Sequence, residues 1–480
     1  MFETIEDPSI LAGYLTDASN VRGTAKALVR PDSVEAVASV LRHCQEHAIP
    51  VTVTAGRTST TGAAVPQGGW LVSTERLTGY TMLEGGRACV KAGMFLGEFQ
   101  QRLAEEGWMY PPDPTSRHEC TVGASIACNA SGACSFRYGN SRAWVEALTV
   151  VLPTGEILRV DRDTPIPPDW PVPSWLEPNV KTAAGYAPTD NLLDLFIGQE
   201  GTLAVIAEAT VRLTPQPGGV IGILAWFRSR EEAVDFAVRG RSAARAERTG
   251  ALSPRCIEYL DHHCVDLARK RVGDVPDDAR AALFCEQEIE AAHGEDGHIE
   301  AWFEALDSGN ALIDDTLIAT DRRTRAQLHA LRHAIPAGIN EQIIKNGLPK
   351  VGTDLAVPDR ALNLMMDAYE ATPMEHVLFG HLGDNHLHLN LLPSSEAELA
   401  AARAYYDHLA RLAIENGGTV SAEHGIGKLK RKHLSWMIGA DTLSAFRALK
   451  RHLDPAWVLG RGNLLDTPSD ASQEKNNARV

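Results

Sequence analysis

Residues 380–390, with the sequence GHLGDNHLHLN, carry three histidines around a short turn. Alternate side chains of a strand point to the same side, so His386, His388 and Asn390 are expected to share one face. Imidazole nitrogens grouped in this way can bind a divalent metal ion. A single histidine is more often a structural residue, but a group of three beside a turn indicates chemistry.

A second motif, residues 417–427 with the sequence GGTVSAEHGIG, sets a carboxylate and an imidazole side by side between glycines. Three histidines and Glu423 could make a metal site that keeps an open position for a substrate. His424, the next residue, could then act as a general base. The alternative from the residues alone is that these histidines are structural, and the presence of two such clusters argues against it.

Three segments of the N-terminal half are rich in glycine and other small residues. They are residues 55–62 (AGRTSTTG), 121–132 (TVGASIACNASG) and 197–203 (IGQEGTL). Small residues let a backbone lie against a cofactor ring or point its N–H groups at phosphate oxygens. The first segment could equally be a surface turn and the second a tightly packed crossover, so the residues alone leave these alternatives open.

The elements that must position these motifs follow from apolar periodicity and from capping residues. Ser33 can cap a helix whose apolar face carries Val34, Val37, Ala38 and Leu41. Helical periodicity also predicts helices over 96–106, 230–245, 326–346 and 397–416. Runs of β-branched and apolar residues predict strands over 51–54, 70–73, 146–152, 157–160, 202–213, 222–227 and 386–392.

The polar, proline-rich stretch 162–190 predicts a long loop, and the Pro/Gly cluster at 214–219 predicts a domain boundary. The chain has 480 residues, of which 44% are hydrophobic and 22% charged, as is usual for a folded globular protein. A formal net charge of −16 argues against a nucleic-acid partner.

No apolar run is long enough for an integral membrane segment, and the acidic start does not resemble a secretory signal. The eight cysteines include no C-x-x-C pair, which favours free thiols in a reducing compartment. A cytoplasmic location is therefore expected, with the membrane periphery and an organellar matrix as alternatives. A homodimer is also expected.

The quoted motifs resemble those of the FAD-dependent D-2-hydroxy-acid dehydrogenases of the vanillyl-alcohol-oxidase/PCMH flavoprotein superfamily. That family includes D-lactate dehydrogenase (cytochrome), the glycolate oxidase catalytic subunit and D-2-hydroxyglutarate dehydrogenase. The resemblance runs from about residue 28 to about residue 466 and is most specific at GHLGDNHLHLN and SAEHGIG.

This resemblance implies an α+β fold, in which a two-part PCMH-type FAD-binding domain precedes a C-terminal cap domain with a ferredoxin-like antiparallel sheet. The boundaries that it suggests are 1–27 for an N-terminal segment, 28–215 for the FAD-binding domain, 216–466 for the cap and 467–480 for a polar tail.

The same resemblance assigns roles to the residues of the two C-terminal motifs. It makes His381, His388 and Glu423 ligands of one divalent metal ion, Zn²⁺ or Mn²⁺, and His424 the catalytic base. It also implies a site for the substrate, whose carboxylate is expected at Arg332 and whose other candidate contacts are Lys350, His386 and Asn390.

The resemblance further implies noncovalent FAD lying across residues 55–62, 112–132 and 198–206. This chain departs from the family where Arg57 replaces a glycine, where Asn385 and His386 replace Gly-Asn, and at residues 460–463, which read GRGN. The candidate cofactor-binding residues are Gly56, Arg57, Thr58, Ser59, Gly62, Asp113, Thr121, Gly123, Asn129, Gly132, Glu200 and Ile206.

The implied reaction is oxidation of a small D-2-hydroxy acid, similar to D-lactate, to the 2-oxo acid. The hydride passes to flavin N5, and a quinone, a cytochrome or an electron-transfer flavoprotein then accepts the electrons. Dicarboxylate-oxidising members have Thr and Lys where this chain has Pro336 and Gly352, which favours a monocarboxylate. Glycolate and D-2-hydroxyglutarate are alternative substrates. Two alternative functions of other classes are a metal-dependent hydrolase and a noncatalytic flavin-binding module.

Overall fold

The computed structural model describes residues 2–467 except 272 and 274. Within this part, the side chains of residues 322, 325, 326, 329, 332 and 333 also lie outside the description. The predicted polar tail at 467–480 therefore falls almost wholly outside the described residues. No described helix combines the length and the apolar character needed to cross a bilayer.

The N-terminal half contains two main sheets of different type. Strands β1, β3 and β2 form a small parallel sheet, in that order, and β4-β5-β9-β7-β8 form an antiparallel sheet. The short strands β10 and β6 pair with each other. The strands are β1 (Ala27–Val29), β2 (Val51–Thr54), β3 (Trp70–Ser73), β4 (Tyr80–Leu83), β5 (Arg87–Lys91), β6 (Trp108–Met109), β7 (Val145–Val151), β8 (Ile157–Asp161), β9 (Val205–Arg212) and β10 (Thr214–Pro215).

The C-terminal half contains one large antiparallel sheet. Its strand order is β14-β11-β13-β12-β17-β18-β15, and β16 also pairs with β18. The first four strands have the order 4-1-3-2, which is the ferredoxin-like arrangement expected for the cap. The strands are β11 (Val220–Phe227), β12 (Pro254–Leu260), β13 (Ala281–Glu288), β14 (Leu317–Ala319), β15 (Val351–Gly352), β16 (Leu355–Ala356), β17 (His376–His381) and β18 (His386–Leu391).

Helices cover both groups of sheets. Ser33 accepts a hydrogen bond from the N–H of Ala36 at the start of the second helix, as the capping pattern predicts. The helices are α1 (Pro8–Leu11), α2 (Val34–Glu46), α3 (Leu96–Glu105), α4 (Val122–Ala127), α5 (Ser135–Tyr138), α6 (Leu192–Phe196), α7 (Arg230–Ala246), α8 (His262–Arg271), α9 (Gly294–Ser308), α10 (Arg322–Asn346), α11 (Leu362–Glu370), α12 (Glu396–Glu415) and α13 (Arg431–Leu453).

Two predicted elements begin elsewhere than expected. Helix α10 starts at Arg322 instead of residue 326, because Asp321 and Thr324 form a capping box. Strand β9 starts at Val205 instead of residue 202, because the side chain of Gln199 accepts the N–H groups of Thr202 and Leu203 and holds a turn there. The other predicted helices and strands form within about two residues of their expected positions, and no helix or strand interrupts 162–190.

Candidate active site between the two halves

A cavity of about 970 Å³ lies where the small-residue segments of the N-terminal half meet the second C-terminal motif. Glu423 and His424 line it together with residues of all three N-terminal segments. Its size is in the range of cofactor and ligand sites. Of the predicted cofactor-binding residues, those that line this cavity are Gly56, Arg57, Thr58, Ser59, Gly123, Glu200 and Ile206.

Three of the predicted glycines are required by close packing of the backbone. A Cβ atom on Gly56 would lie 1.9 Å from the carbonyl oxygen of Glu119, and one on Gly132 would lie 2.2 Å from that of Asp113. A Cβ atom on Gly123 would lie 2.4 Å from the Cβ of its neighbour Ala92. These glycines therefore let the segments pack together, which in turn shapes the cavity wall.

Arg57, which replaces a family glycine, has a left-handed backbone with φ of 57°. Its guanidinium lies over the ring of Tyr14, 4.7 Å from the centroid, and donates to the carbonyl of Ala55. The side chain is thus held against the protein beside the cavity. A contact from Arg57 to a diphosphate stays a prediction.

The predicted cofactor residues that do not line the cavity are Gly62, Asp113, Thr121, Asn129 and Gly132. Several of these hold the surrounding loops. Thr121 caps α4, and Asp113 accepts a hydrogen bond from the N–H of Cys134. Asn129 accepts from the N–H of Arg142 and donates to the carbonyl of Thr182. These contacts give the polar side chains a structural role in positioning the segments.

The two C-terminal motifs meet at Glu423. The Nε2 atoms of His381 and His388 each lie 3.4 Å from Oε1 of Glu423. The other ring nitrogen of His381 lies 2.7 Å from Oε1 of Glu258, and that of His388 lies 3.2 Å from the carbonyl oxygen of Thr353. Both imidazoles are therefore held so that their Nε2 atoms point at the same carboxylate oxygen.

This arrangement fits a metal ion. Ligands bound at about 2.1 Å in a tetrahedron lie about 3.4 Å apart, which matches both nitrogen-to-oxygen distances. Metal-ligating histidines usually donate their second N–H to a carboxylate or a carbonyl, as Glu258 and Thr353 allow here. Burial alone would raise the pKa of Glu423, but Lys181 and His381 hold it well below the usual carboxyl range.

His386 lies on the same face of β18 as His388, but its ring lies beside Asp354. A ring nitrogen of His386 lies within 4.8 Å of the ligand atoms of the other three residues. Its side chain is fully buried, and Nε2 lies 2.9 Å from Oδ1 of Asp354. Burial and the nearby His388 hold the pKa of His386 well below its ordinary value. These contacts favour a supporting position beside the metal ligands.

His424 lines the cavity and also contacts Glu423, the carboxylate that faces His381 and His388. Its Nδ1 lies 3.5 Å from Oδ2 of Asp354, and its Nε2 lies 3.5 Å from Oε1 of Glu423. The ring stacks on His388 with centroids 5.3 Å apart, and about a third of the side chain stays open. Burial lowers the pKa of His424 to about 4, so the imidazole is neutral near pH 7 and can accept a proton.

Asp354, which the sequence reasoning did not select, organises this region. Its buried carboxylate accepts hydrogen bonds from Nζ of Lys430 at 2.6 Å and from Oγ of Ser421 at 2.7 Å. It also accepts the backbone N–H groups of Glu423, at 3.2 Å, and His424, at 3.1 Å. No local pattern marks this aspartate, because its partners lie about 70 residues further along the chain.

The predicted substrate residues are only partly described. Arg332 lies in α10, but its side chain is outside the described part, so its role as carboxylate clamp stays a prediction. Nζ of Lys350 lies 2.6 Å from Oδ1 of Asn390, and Nδ2 of Asn390 donates to the carbonyl of His388. Lys350, which directly precedes β15, therefore reaches Asn390, which lies on β18 two residues after the proposed metal ligand His388.

Family models of known proteins match both halves of the chain. Residues 25–161 match the model of the FAD binding domain, and residues 224–464 match that of the FAD linked oxidases, C-terminal domain. The D-2-hydroxyglutarate dehydrogenase of Xanthomonas citri pv. viticola is 31% identical over 452 residues, which cover 92% of this chain and 89% of that protein. The D-lactate dehydrogenase of Anaerostipes hadrus is 28% identical and covers 96% of each chain.

A solved structure of alkyldihydroxyacetonephosphate synthase has the same fold. It superposes with a TM-score of 0.67 at 17% identity, covering 95% of this chain and 81% of that one. The expected combination of a PCMH-type FAD-binding domain and an antiparallel cap is therefore confirmed, as is the family resemblance read from the motifs. The chain belongs to the FAD-linked oxidase family, in which an FAD binding domain precedes the FAD-linked oxidase C-terminal domain.

Proposed function

We propose that this chain is an FAD-dependent dehydrogenase that oxidises a small D-2-hydroxy acid to the 2-oxo acid. The observation that carries the proposal is the shared cavity. The cavity is lined by the small-residue segments of the FAD binding domain and by His424 and Glu423. His424 is a neutral imidazole, and the carboxylate of Glu423 is placed as a metal ligand would be. Proton acceptor and flavin are thus expected on either side of one bound substrate.

The reaction divides into tasks for the cofactors and for the chain. Residues that line the cavity, such as Gly56, Gly123 and Glu200, would hold FAD, which would supply the acceptor for the hydride of the hydroxyl-bearing carbon. A divalent ion held by His381, His388 and Glu423 would polarise the hydroxyl oxygen and lower its pKa. His424 takes the hydroxyl proton, and Asp354 holds its backbone N–H so that the ring keeps its place.

The acid that fits best is a monocarboxylate such as D-lactate. Pro336 offers no hydrogen-bond donor from its side chain, and Gly352, paired directly with Asn390 in the sheet, offers no side chain at all. A second carboxylate would therefore have few partners among these positions. Names of the relatives support a 2-hydroxy acid but include both D-lactate and D-2-hydroxyglutarate dehydrogenases.

D-2-hydroxyglutarate is the second candidate, and Lys350 is the observation that favours it. Lys350 lies two residues before Gly352, and its side chain reaches Asn390, the strand partner of Gly352. Its ammonium group already lies 2.6 Å from Oδ1 of Asn390. It could therefore replace the family lysine as partner of a distal carboxylate.

The FAD is proposed to be noncovalent. Among the described residues that line the cavity, His424 is the only imidazole and there is no phenol. Burial raises the pKa of the Cys120 thiol to about 11 and raises that of Cys128 as well, so neither is a ready nucleophile. Flavin that stays with the protein after acid precipitation would contradict this part of the proposal.

Anaerobic titration with candidate acids tests the function. Bleaching of the flavin absorbance should occur with D-lactate, glycolate or D-2-hydroxyglutarate and not with L-lactate, and the highest kcat/KM should be for D-lactate. A colourless protein would favour a metal-dependent hydrolase. A yellow protein that none of these acids bleaches would favour a noncatalytic flavin-binding module.

The matched control for this titration is His424→Asn. It removes the proposed proton acceptor without adding bulk, and it should slow reduction by about 10²–10⁴-fold with flavin content unchanged. Reduction of the variant at the rate of the unaltered protein would exclude His424 as the base. The electron acceptor is proposed to be a quinone, a cytochrome or an electron-transfer flavoprotein, to be compared by steady-state reoxidation.

A further inference from the structure

Lys181 lies in the long irregular segment between β8 and α6, yet its side chain is only 5% exposed. Its Nζ lies 3.0 Å from Oε2 of Glu423 and 3.5 Å from the carbonyl oxygen of Gly132. The carboxylate of Asp384 is 3.8 Å away. An ammonium group from the N-terminal half is therefore buried against a proposed metal ligand of the other half.

The chain around Lys181 is anchored, so this contact is not the chance position of a flexible side chain. The next residue, Thr182, shares a hydrogen bond of 2.8 Å with the hydroxyl of Thr419. The N–H of Ala183 donates to the carbonyl of Ser421 at 2.9 Å. Both partners belong to the stretch that leads directly to Glu423, so Lys181 and Glu423 are held together by the same interface.

The two oxygens of Glu423 have different tasks in this arrangement. Oε1 faces the Nε2 atoms of His381 and His388, whereas Oε2 accepts from Lys181. A divalent ion at the two histidines would therefore share one carboxylate with an ammonium group. In a buried site, where charges are weakly screened, those two cations repel each other.

We propose that Lys181 is the resident counter-cation of Glu423. It holds the carboxylate in place and balances its charge when no metal ion is bound, and it weakens the binding of the ion, which keeps the ion exchangeable. This inference rests on the proposed metal site. The proposal predicts that the loss of Lys181 makes metal binding tighter. The loss of an ordinary supporting residue usually makes it weaker, by about 10–100-fold.

The test measures the Kd for Zn²⁺ and for Mn²⁺ by chelator competition, on the flavin-containing protein after metal removal. Lys181→Met should bind each ion at least about tenfold more tightly, because a repelling charge is gone and the buried carboxylate lacks its cation. Its melting temperature without metal should fall, and added Zn²⁺ should raise that temperature by more than in the unaltered protein. Lys181→Arg, which keeps the charge, should have nearly the original Kd.

Lys450→Met is the matched control. Lys450 is also a buried lysine whose Nζ contacts three oxygens, but all of them lie outside the metal site, on Thr202, Asp454 and Leu459. Its loss should lower stability with no change in Kd. If Lys181→Met does not fold, Lys181→Gln, which keeps a hydrogen-bond donor, tests the same charge effect.

An unchanged or higher Kd for the metal ion in the neutral Lys181 variants would overturn the proposal. Lys181 would then be a positioning residue only. His388→Ala separates this failure from failure of the metal site itself. If His388→Ala binds metal as well as the unaltered protein does, the ions bind elsewhere and the metal site, with the inference built on it, is wrong. If His388→Ala abolishes binding while Lys181→Met does not tighten it, only the role of Lys181 is refuted.

Discussion

Replacing Asp354 with asparagine removes the one negative charge that anchors Ser421, Glu423 and His424 of the second C-terminal motif. The side chain keeps its shape, but the carboxylate that accepts from Lys430, Ser421 and two backbone N–H groups becomes an amide. One end of that amide is a donor and must face other donors. Lys430, 7% exposed, can still donate to the amide oxygen or to the hydroxyl of Ser421 at 3.3 Å, but it loses its anionic partner.

The magnitude follows from the burial of this pair. Removing one partner of a buried ion pair usually costs about 3–5 kcal/mol, because the remaining charge has no counter-ion. Asp354→Asn should therefore lower the free energy of unfolding in urea by about that amount. Adding Lys430→Met removes the stranded cation, so the double variant should be more stable than the sum of the two single changes by about 2–3 kcal/mol.

Catalysis gives a second measurement of the same substitution. The loop that carries Glu423 and His424 loses one of its two backbone anchors, because the two N–H groups donate to different oxygens of Asp354. A small misplacement of catalytic groups typically costs about 10² in rate. The flavin content should stay unchanged while kcat falls about a hundredfold. Stability effects of Asp354→Asn and Lys430→Met that add within about 0.5 kcal/mol, together with a kcat near the original, would refute the reasoning.

Three further outcomes are expected. Exhaustive EDTA treatment should abolish turnover while FAD stays bound, and added Zn²⁺ or Mn²⁺ should restore it; full activity in a preparation that elemental analysis finds free of metal would exclude the metal site. Gly123→Ala should destabilise the protein by about 1–3 kcal/mol in thermal unfolding and reduce its flavin content, because the new methyl group would lie 2.4 Å from the Cβ of Ala92; unchanged stability would contradict this close packing. Burial raises the pKa of Glu200 from its ordinary 4.5 to about 7, so its contribution to the stability of the flavin-free protein should be complete below about pH 4.5 and lost as the pH rises through 7. Glu200→Gln should flatten that part of the pH profile of the melting temperature, and an identical slope in both proteins would show that another group titrates.

Much of this architecture was predictable because the signals are local. The cap at Ser33 and the run of four β-branched residues at 51–54 act within a few residues, and the predicted helix and strand both form. His381 and His388 could be grouped because they flank one tight turn and lie on paired strands, so chain spacing alone brings them close. The two long motifs also identified the family, which the comparisons confirm.

The tertiary structure decided which distant groups complete the site and which small residues line the cavity. Lys181 and Glu423 are 242 positions apart in sequence, and their contact exists only because an irregular segment packs against the other half of the chain. Gly132 belongs to a segment predicted to bind the cofactor, but it packs against the backbone of Asp113. Residue types show which groups can bind a metal ion or a phosphate, but the burial that sets their charge, and the partners that orient them, arise only when distant segments pack together.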